Sequence, residues 1–475
     1  MSTDAYIQIA PDSTGKKVDN GTLTLSGTEV YRQRVEAYAG ADFPVTGTFW
    51  QATQPVSLAD TVQLDSFGRL RVSEAITLFD SQQEYGLDTL RMWDATANGT
   101  LSSATPSTNG SVTSGSNAVG PRSANDRMTP VTCTSTAAHY AILQSRQYIR
   151  YIPGKSHLVL MTGIFAPGTP TSVGFVNRTS TSGAVVDTEV LQASWNIDKF
   201  NGAGPSGLTL DFTKTQILVI QAQWLGVGRV IVGFDVDGQL FPAHEFLNAN
   251  TLAAPYTQTF NLPVRLEIRE ESGLAVARSG YFDSANGIFL KTSKTAAATN
   301  TIQFVCCSVQ SEGGQEVRGF PHTVNNAITE VSCNTTGRPI LSIRPAATYN
   351  SLTNRVHLEE IEKLINIESG KALWQLIIGG TLTGASWSAV TESAAEFDVS
   401  ATAISGGIPI LSGYLSGGGA TASGSAFGSA DIRNPLTLSK IDALAATQPS
   451  LTLTVRSTTG TVLALGSFNW HEQVI

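Results

Sequence analysis

From Gly207 to Asn250 the apolar residues fall on alternate positions, and turn formers fill the gaps between runs, which predicts a meander of four short strands. Leu218, Ile220, Ala222 and Trp224 share one face, while the other face begins with Ile217 and Val219 and turns polar at Gln221 and Gln223. A strand with that pattern is buried on both sides at one end and on one side at the other. Gly226-Val227-Gly228 permits a tight reversal, and Arg229 to Asp237 alternates again. Asp237-Gly238 signals a second hairpin, because glycine accepts positive φ and aspartate can bond its own backbone. Pro242 cannot donate to a ladder, so the returning segment Gln239 to Phe246 is expected at a sheet edge or a bulge.

The same short-strand pattern recurs from Ser156 to Gln310 at the spacing of a sandwich, and restarts from Asn326 to the final segment around Phe468 and Trp470. The expected architecture is therefore all-β: residues 1–75 as an extended arm with a small hairpin, 76–325 as a central jelly-roll-like β-sandwich, and 326–475 as a second one. Within the arm, Glu29 to Ala39 offers at most a short helix. Elsewhere Val356 to Ile367 (VHLEEIEKLINI) is the one segment where helix and strand compete. Ser194 to Gly207 holds too much Gly and Pro for a strand, and its Gly202-Ala203-Gly204 lacks the strand-to-helix setting of a dinucleotide fingerprint, so it reads as a loop. Ser416 to Ser429 is a mobile loop by composition.

Composition narrows the field. With 41% hydrophobic and 14% charged residues over 475 positions, the chain suits packed domains rather than disorder. A net charge of −8 without Lys/Arg clusters argues against nucleic acid as a partner. Cys133, Cys306, Cys307 and Cys333 form no CxxC pair and read as buried thiols, with a Cys133–Cys333 bridge left open. Met1 to Ala10 lacks the regions of a signal peptide and no run is long enough to span a bilayer, so synthesis in the cytosol without membrane insertion is expected.

Candidate chemistry is sparse. The six histidines show no HxH or HxxxH spacing, and His244-Glu245 fails as a zincin because Asn248 stands where the second histidine belongs. Asp235-Val236-Asp237-Gly238 resembles half of a calcium loop without its remaining ligands, and a solvated hairpin tip is the better reading. No GxSxG elbow or P-loop occurs, so no catalytic residue, metal or cofactor is assigned. Paired carboxylates on separate strands would leave no local signature. Two sets of residues remain. Phe67, in the turn Asp65-Ser66-Phe67-Gly68, with Arg69 and Arg71 on one strand face, forms a candidate docking hairpin, although a solvated face suffices to explain the arginines. Trp195, Trp224 and Tyr256 could stack on sugar rings, the alternative being that they fill a core.

The strings DSFGRLRVSEAITLFDSQQEYG (65–86), the segment 194–250, GTLTGASW (380–387) and EFDVSATAISGG (396–407) resemble structural proteins in the virions of tailed bacteriophages and some other large DNA viruses. The resemblance runs from about Ser57 to the C-terminus and carries no catalytic motif. It implies a virion part made in the host cytoplasm, non-enzymatic, in contact with other virion proteins and repeated as a homo-oligomer. Tail, fibre, collar and capsid-associated positions all fit. A host-surface glycan-binding adhesin is the alternative, and a polysaccharide depolymerase the third reading.

Overall fold

The computed structural model describes residues 22–25, 28–31, 75–84, 88, 91–98, 118–119, 127–137, 139–314, 319–354, 356–417, 425–426 and 449–472. The chain divides into two compact units, Met1–Arg71 and Val72–Ile475. In the first unit the described residues form one hairpin, Thr22–Leu25 paired antiparallel with Thr28–Tyr31. Residues 29–31 are therefore strand, not the start of a short helix, because Val30 and Tyr31 sit in a ladder with Leu23 and Thr22. The remainder of the expected arm, including Phe67, Arg69 and Arg71, lies outside the described residues.

The second unit is all-β and holds two sandwiches, each with its own apolar core. In the first, a seven-stranded sheet runs Val186–Leu191, Ser172–Thr179, Gly287–Thr295, Leu274–Phe282, Val264–Glu271, His139–Ser145, Met92–Asn98. Facing it, an eight-stranded sheet runs Gln239–Phe246, Val230–Val236, Gln216–Ala222, His157–Ile164, Thr299–Ser311, Thr129–Thr134, Ala118–Val119, with Ile76–Gln82 also paired to Thr299–Ser311. Leu266, Ile268, Tyr281 and Leu290 from one sheet meet Met161, Ile220, Phe234 and Phe304 from the other, all essentially inaccessible to water. At about 25 cal/mol per Å² of apolar surface, such residues supply most of the driving force for closing the sandwich.

The second sandwich packs a six-stranded sheet, ordered Ser388–Ala389, Ala395–Asp398, Arg338–Pro345, Leu451–Ser457, Gly370–Ile378, Ile408–Gly417, on a five-stranded one. The latter is ordered Phe320–Asn325, Val462–Glu472, Leu358–Ile367, Ser425–Ala426, with Val331–Cys333 also paired to Val462–Glu472. Hydrogen bonding thus places Phe320–Asn325 in the second sandwich, on the N-terminal side of the boundary expected at 326. Arg150 of the first sandwich and Glu359 of the second form a buried ion pair that joins them. Beside it lies His357, buried, with neither ring nitrogen hydrogen-bonded. Burial and the neighbouring Arg150 charge push its pKa down to about 3.

The meander is three strands, not four: Leu208–Asp211 makes only an isolated bridge, Asn201 to Thr209, before Gln216–Ala222 begins. Asp237 and Gly238 both take positive φ, +55° and +81°, as the tight hairpin requires. Asp235 Oδ1 accepts the Gly238 N–H at 3.0 Å, so that carboxylate serves the turn. Pro242 lies on an edge strand and also at a bulge, where Gly233 pairs with it after Val232 has paired with His244. The ambiguous segment is the strand Leu358–Ile367, and its helix-like spacing has a physical cause. A bulge between Glu359 and Glu362, with Glu360 at φ +50°, brings Leu358, Ile361, Ile365 and Ile367 all to the core. All four cysteines are free thiols, which settles the open Cys133–Cys333 question. Among the described residues no helix is long and apolar enough to cross a membrane.

Candidate functional site

The outward face of the seven-stranded sheet is where the first sandwich concentrates its charge. In Val264–Glu271 the apolar Leu266 and Ile268 point to the core, so Arg265, Glu267, Arg269 and Glu271 must share the opposite face. Cross-strand pairing adds Gln144 opposite Arg265, Tyr140 opposite Arg269 and Arg278 opposite Glu267. Arg265 and Glu267 are 0% and 1% exposed, an unusual depth for ionised groups.

Glu267 is bonded by three guanidiniums: Arg265 on one carboxylate oxygen, and Arg269 and Arg278 on the other, Arg278 at 3.2 Å. Burial alone would raise its pKa, but the charges of Arg269, Arg265 and Arg278 outweigh that and hold the carboxyl well below the usual range. Arg278 also bonds both oxygens of Glu271, at 2.8 and 2.9 Å, and Arg265 donates to Gln144 Oε1 at 3.1 Å. Further along the face, Arg178 pairs in a fork with Asp187 at 2.7 and 2.8 Å, and Lys291 meets Glu189 at 2.7 Å. The guanidinium planes rest on aromatic rings, Arg178 over Phe289 at 5.0 Å and Arg265 over Phe282 at 5.4 Å.

This arrangement holds charge in place and is poorly suited to moving protons. A carboxyl held ionised by three cations has no proton to give near neutrality, so Glu267 is unfit as a general acid. Among the described residues no group of His, Cys, Asp or Glu is placed to hold a metal ion.

Trp195 and Tyr256 are each 2% exposed, and the three candidate sugar-stacking aromatics do not form one platform. Trp195 packs at a tilt against Phe175 at 4.6 Å, lies edge-on to Phe200, and donates its indole N–H to the Val190 carbonyl at 3.1 Å. Trp224 and Tyr256 lie elsewhere, near the reversal at Gly226, whose carbonyl accepts the Tyr256 N–H at 2.9 Å. Trp224, half-buried, lies edge-on to Tyr151 at 5.5 Å and donates to Thr257 Oγ1 at 2.8 Å. Both Trp195 and Tyr256 have gone to the interior, where a large ring gains most by burial.

The loop around Gly202-Ala203-Gly204 is built on an aspartate. Asp198 accepts the N–H groups of Phe200 at 2.8 Å and Ser206 at 2.7 Å, and a Cβ on Gly204 would lie 2.0 Å from its Oδ1. Asp398 plays the same part in 380–407, taking the N–H groups of Ser386, Ser400 and Ala401 at 2.7, 3.1 and 3.1 Å. Two of the strings that carry the virion resemblance are thus folded about buried carboxylates that satisfy backbone donors.

The charged face went unread in the sequence, although the alternation Arg265, Glu267, Arg269, Glu271 was its signal. Such a row ordinarily means a solvated strand face, and nothing local announces that Arg278 and Gln144 will arrive from neighbouring strands.

No family and no curated protein matches this chain. Solved structures with some likeness include a Bauhinia forficata lectin in complex with GalNAc, at 8% identity and TM-score 0.17, over 50% of this chain and 98% of that one. A prokaryotic β-1,3-1,4-glucanase from a mouse hindgut metagenome has 10% identity and TM-score 0.16, over 50% and 100%. The major capsid protein P2 of bacteriophage PM2 has 9% identity and TM-score 0.14, over 73% and 98%. At those scores none of them bears on function, and the all-β class rests on the strands and sheets themselves.

Proposed function

We propose that the chain is a structural component of a bacteriophage virion, associated with the tail or neck as part of a fibre or collar. In this reading the N-terminal region anchors it, and the β-sandwiches hold it against copies of itself and other virion proteins without catalysis. The observation that carries the reading is how the side chains that could serve a ligand are spent. Arg265, Arg269 and Arg278 converge on Glu267, Arg278 also bonds Glu271, and Trp195 and Tyr256 are packed inside. A subunit whose task is to hold a shape under load gains from such internal pairing, whereas a ligand site needs groups left open.

The test joins two measurements. Mass spectrometry of gradient-purified particles should find the chain in a fixed ratio to the other virion proteins, and a glycan array probed with the purified protein should be blank. A positive array would move the reading to a host-surface adhesin; shortening of host capsule polymer would move it to a depolymerase. Absence from the particles would overturn it.

A further inference from the structure

Sheet edges that face solvent offer unpaired backbone donors and acceptors to any passing strand, and proteins usually blunt them with charge, proline, bulges or shortness. Most edges here comply. Val186–Leu191 carries Asp187 and Glu189; Gln239–Phe246 carries Glu245, Pro242 and a bulge; Phe320–Asn325 is short and contains Pro321; Ser388–Ala389 is only two residues. The other end of the six-stranded sheet does not. Ile408–Gly417 is ten residues long, uncharged, and among the described residues paired on one side only, with Gly370–Ile378. Its bulge and Pro409 lie at its beginning, where the register shifts between the Leu376 and Ile377 partners, so pairing from Leu411 to Gly417 is regular.

That regular part reads Leu411-Ser412-Gly413-Tyr414-Leu415-Ser416-Gly417. Set antiparallel to a copy of itself about Tyr414, it is self-complementary at every position. Leu411 stands opposite Gly417, Ser412 opposite Ser416, Gly413 opposite Leu415, and Tyr414 opposite Tyr414 of the copy. Large faces small on the side of Leu411 and Leu415, which pack toward the core. On the other side hydroxyl faces hydroxyl and ring faces ring, the pairs that stabilise antiparallel sheets. The two-fold axis sets only Tyr414 opposite its own copy, and with no charged residue from Leu411 to Gly417 the pairing contains no like-charge contact. Tyr414, at the centre, is 79% exposed.

We propose that Ile408–Gly417 is a homodimer contact, in which the six-stranded sheets of two copies join edge to edge about a two-fold axis at Tyr414. This deepens the assembly reading by naming the partner as a second copy and locating the surface. Its test needs purified full-length protein only. A protein that dimerises here but is missing from particles would sink the virion placement and leave the pairing standing.

The experiment is light scattering with size-exclusion chromatography on the wild type and on Tyr414→Lys, which sets two ammonium groups face to face at the axis. The mass of the variant should fall to half that of the wild type, with an unchanged far-ultraviolet dichroism spectrum, since Tyr414 is largely exposed and its replacement leaves the strand ladders intact. Tyr414→Cys should form a covalent dimer on treatment with a mild oxidant, and Thr459→Cys, in the exposed loop that joins the two sheets of the same sandwich, should not. A monomeric wild type, or a Tyr414→Lys variant that keeps the wild-type mass, would overturn the proposal.

Discussion

Glu267 is the residue whose environment was least foreseeable and whose loss should cost most. Replacing it with Gln leaves Arg265, Arg269 and Arg278 buried beside one another without their anion, so Glu267→Gln should lower stability by about 3–5 kcal/mol in urea titration. Its folded pKa is held below the unfolded value, so its contribution is complete above about pH 4.5 and fades as the pH falls toward the folded pKa. Two histidines act earlier. Burial pushes His157 down to about 4 and His357 to about 3, so below an unfolded pKa of about 6.5 the unfolded chain takes up protons that the folded one refuses. Stability should therefore decline from about pH 6.5 downward, by up to about 1.4 kcal/mol per pH unit for each histidine. His157 sits among Tyr151, Phe260 and Tyr281, and His157→Phe should remove one histidine's share of that slope, as read from urea midpoints between pH 7 and 5. An unchanged slope would show that His157 is not the group responsible. At this scale the sequence was legible for Cys133, Cys307 and Cys333 as buried thiols, Cys306 being half-buried instead, and for Asp235 to Gly238 as a hairpin tip, although the carboxylate that bonds the turn is that of Asp235 and not Asp237. It was mute about Glu267, because Arg278, the third of its guanidiniums, and Gln144, which bonds Arg265, lie on neighbouring strands whose register is a tertiary property.

Elements were more legible than partners. The alternation of Gln216–Ala222 and Val230–Val236, the Asp237-Gly238 hairpin and the demotion of the Pro242 strand all follow from local chemistry, and the ladders bear them out. The helix-or-strand ambiguity at Leu358–Ile367 had no local answer, since an extra residue in a bulged strand produces the three- and four-residue spacing of a helix. The missing fourth strand of the meander has a similar origin: Leu208 and Leu210 alternate as a strand would, yet the loop folded on Asp198 claims that segment. Where two backbones come close, glycine is mandatory. A Cβ on Gly233 would lie 2.2 Å from the Phe241 carbonyl oxygen, beside the Pro242 bulge, so Gly233→Ala should separate those strands. The expected cost is about 2 kcal/mol or more, seen as a lower thermal midpoint, whereas Gly238→Ala, with open space around it but φ +81°, should cost about 1 kcal/mol.

For the molecule as a whole, the two sandwiches have separate cores and are tied by the Arg150–Glu359 pair. Arg150→Met removes the cation and leaves Glu359 buried without it, which should cost about 3 kcal/mol and fall on the coupling between the sandwiches. Calorimetry should then show one thermal transition in the wild type and two in the variant; a single transition lowered in both would place the effect within one core instead. That the chain is all-β with two cores was legible from composition and strand spacing, while the edge where Ile408–Gly417 ends its sheet was not, because which strand lies outermost is decided by topology. The structural-subunit reading depends on the chain residing in a particle. Gold-labelled antibody imaging of purified virions tests that directly: the account predicts label on intact particles at the tail or neck, and unlabelled particles with the protein free in the lysate would contradict it.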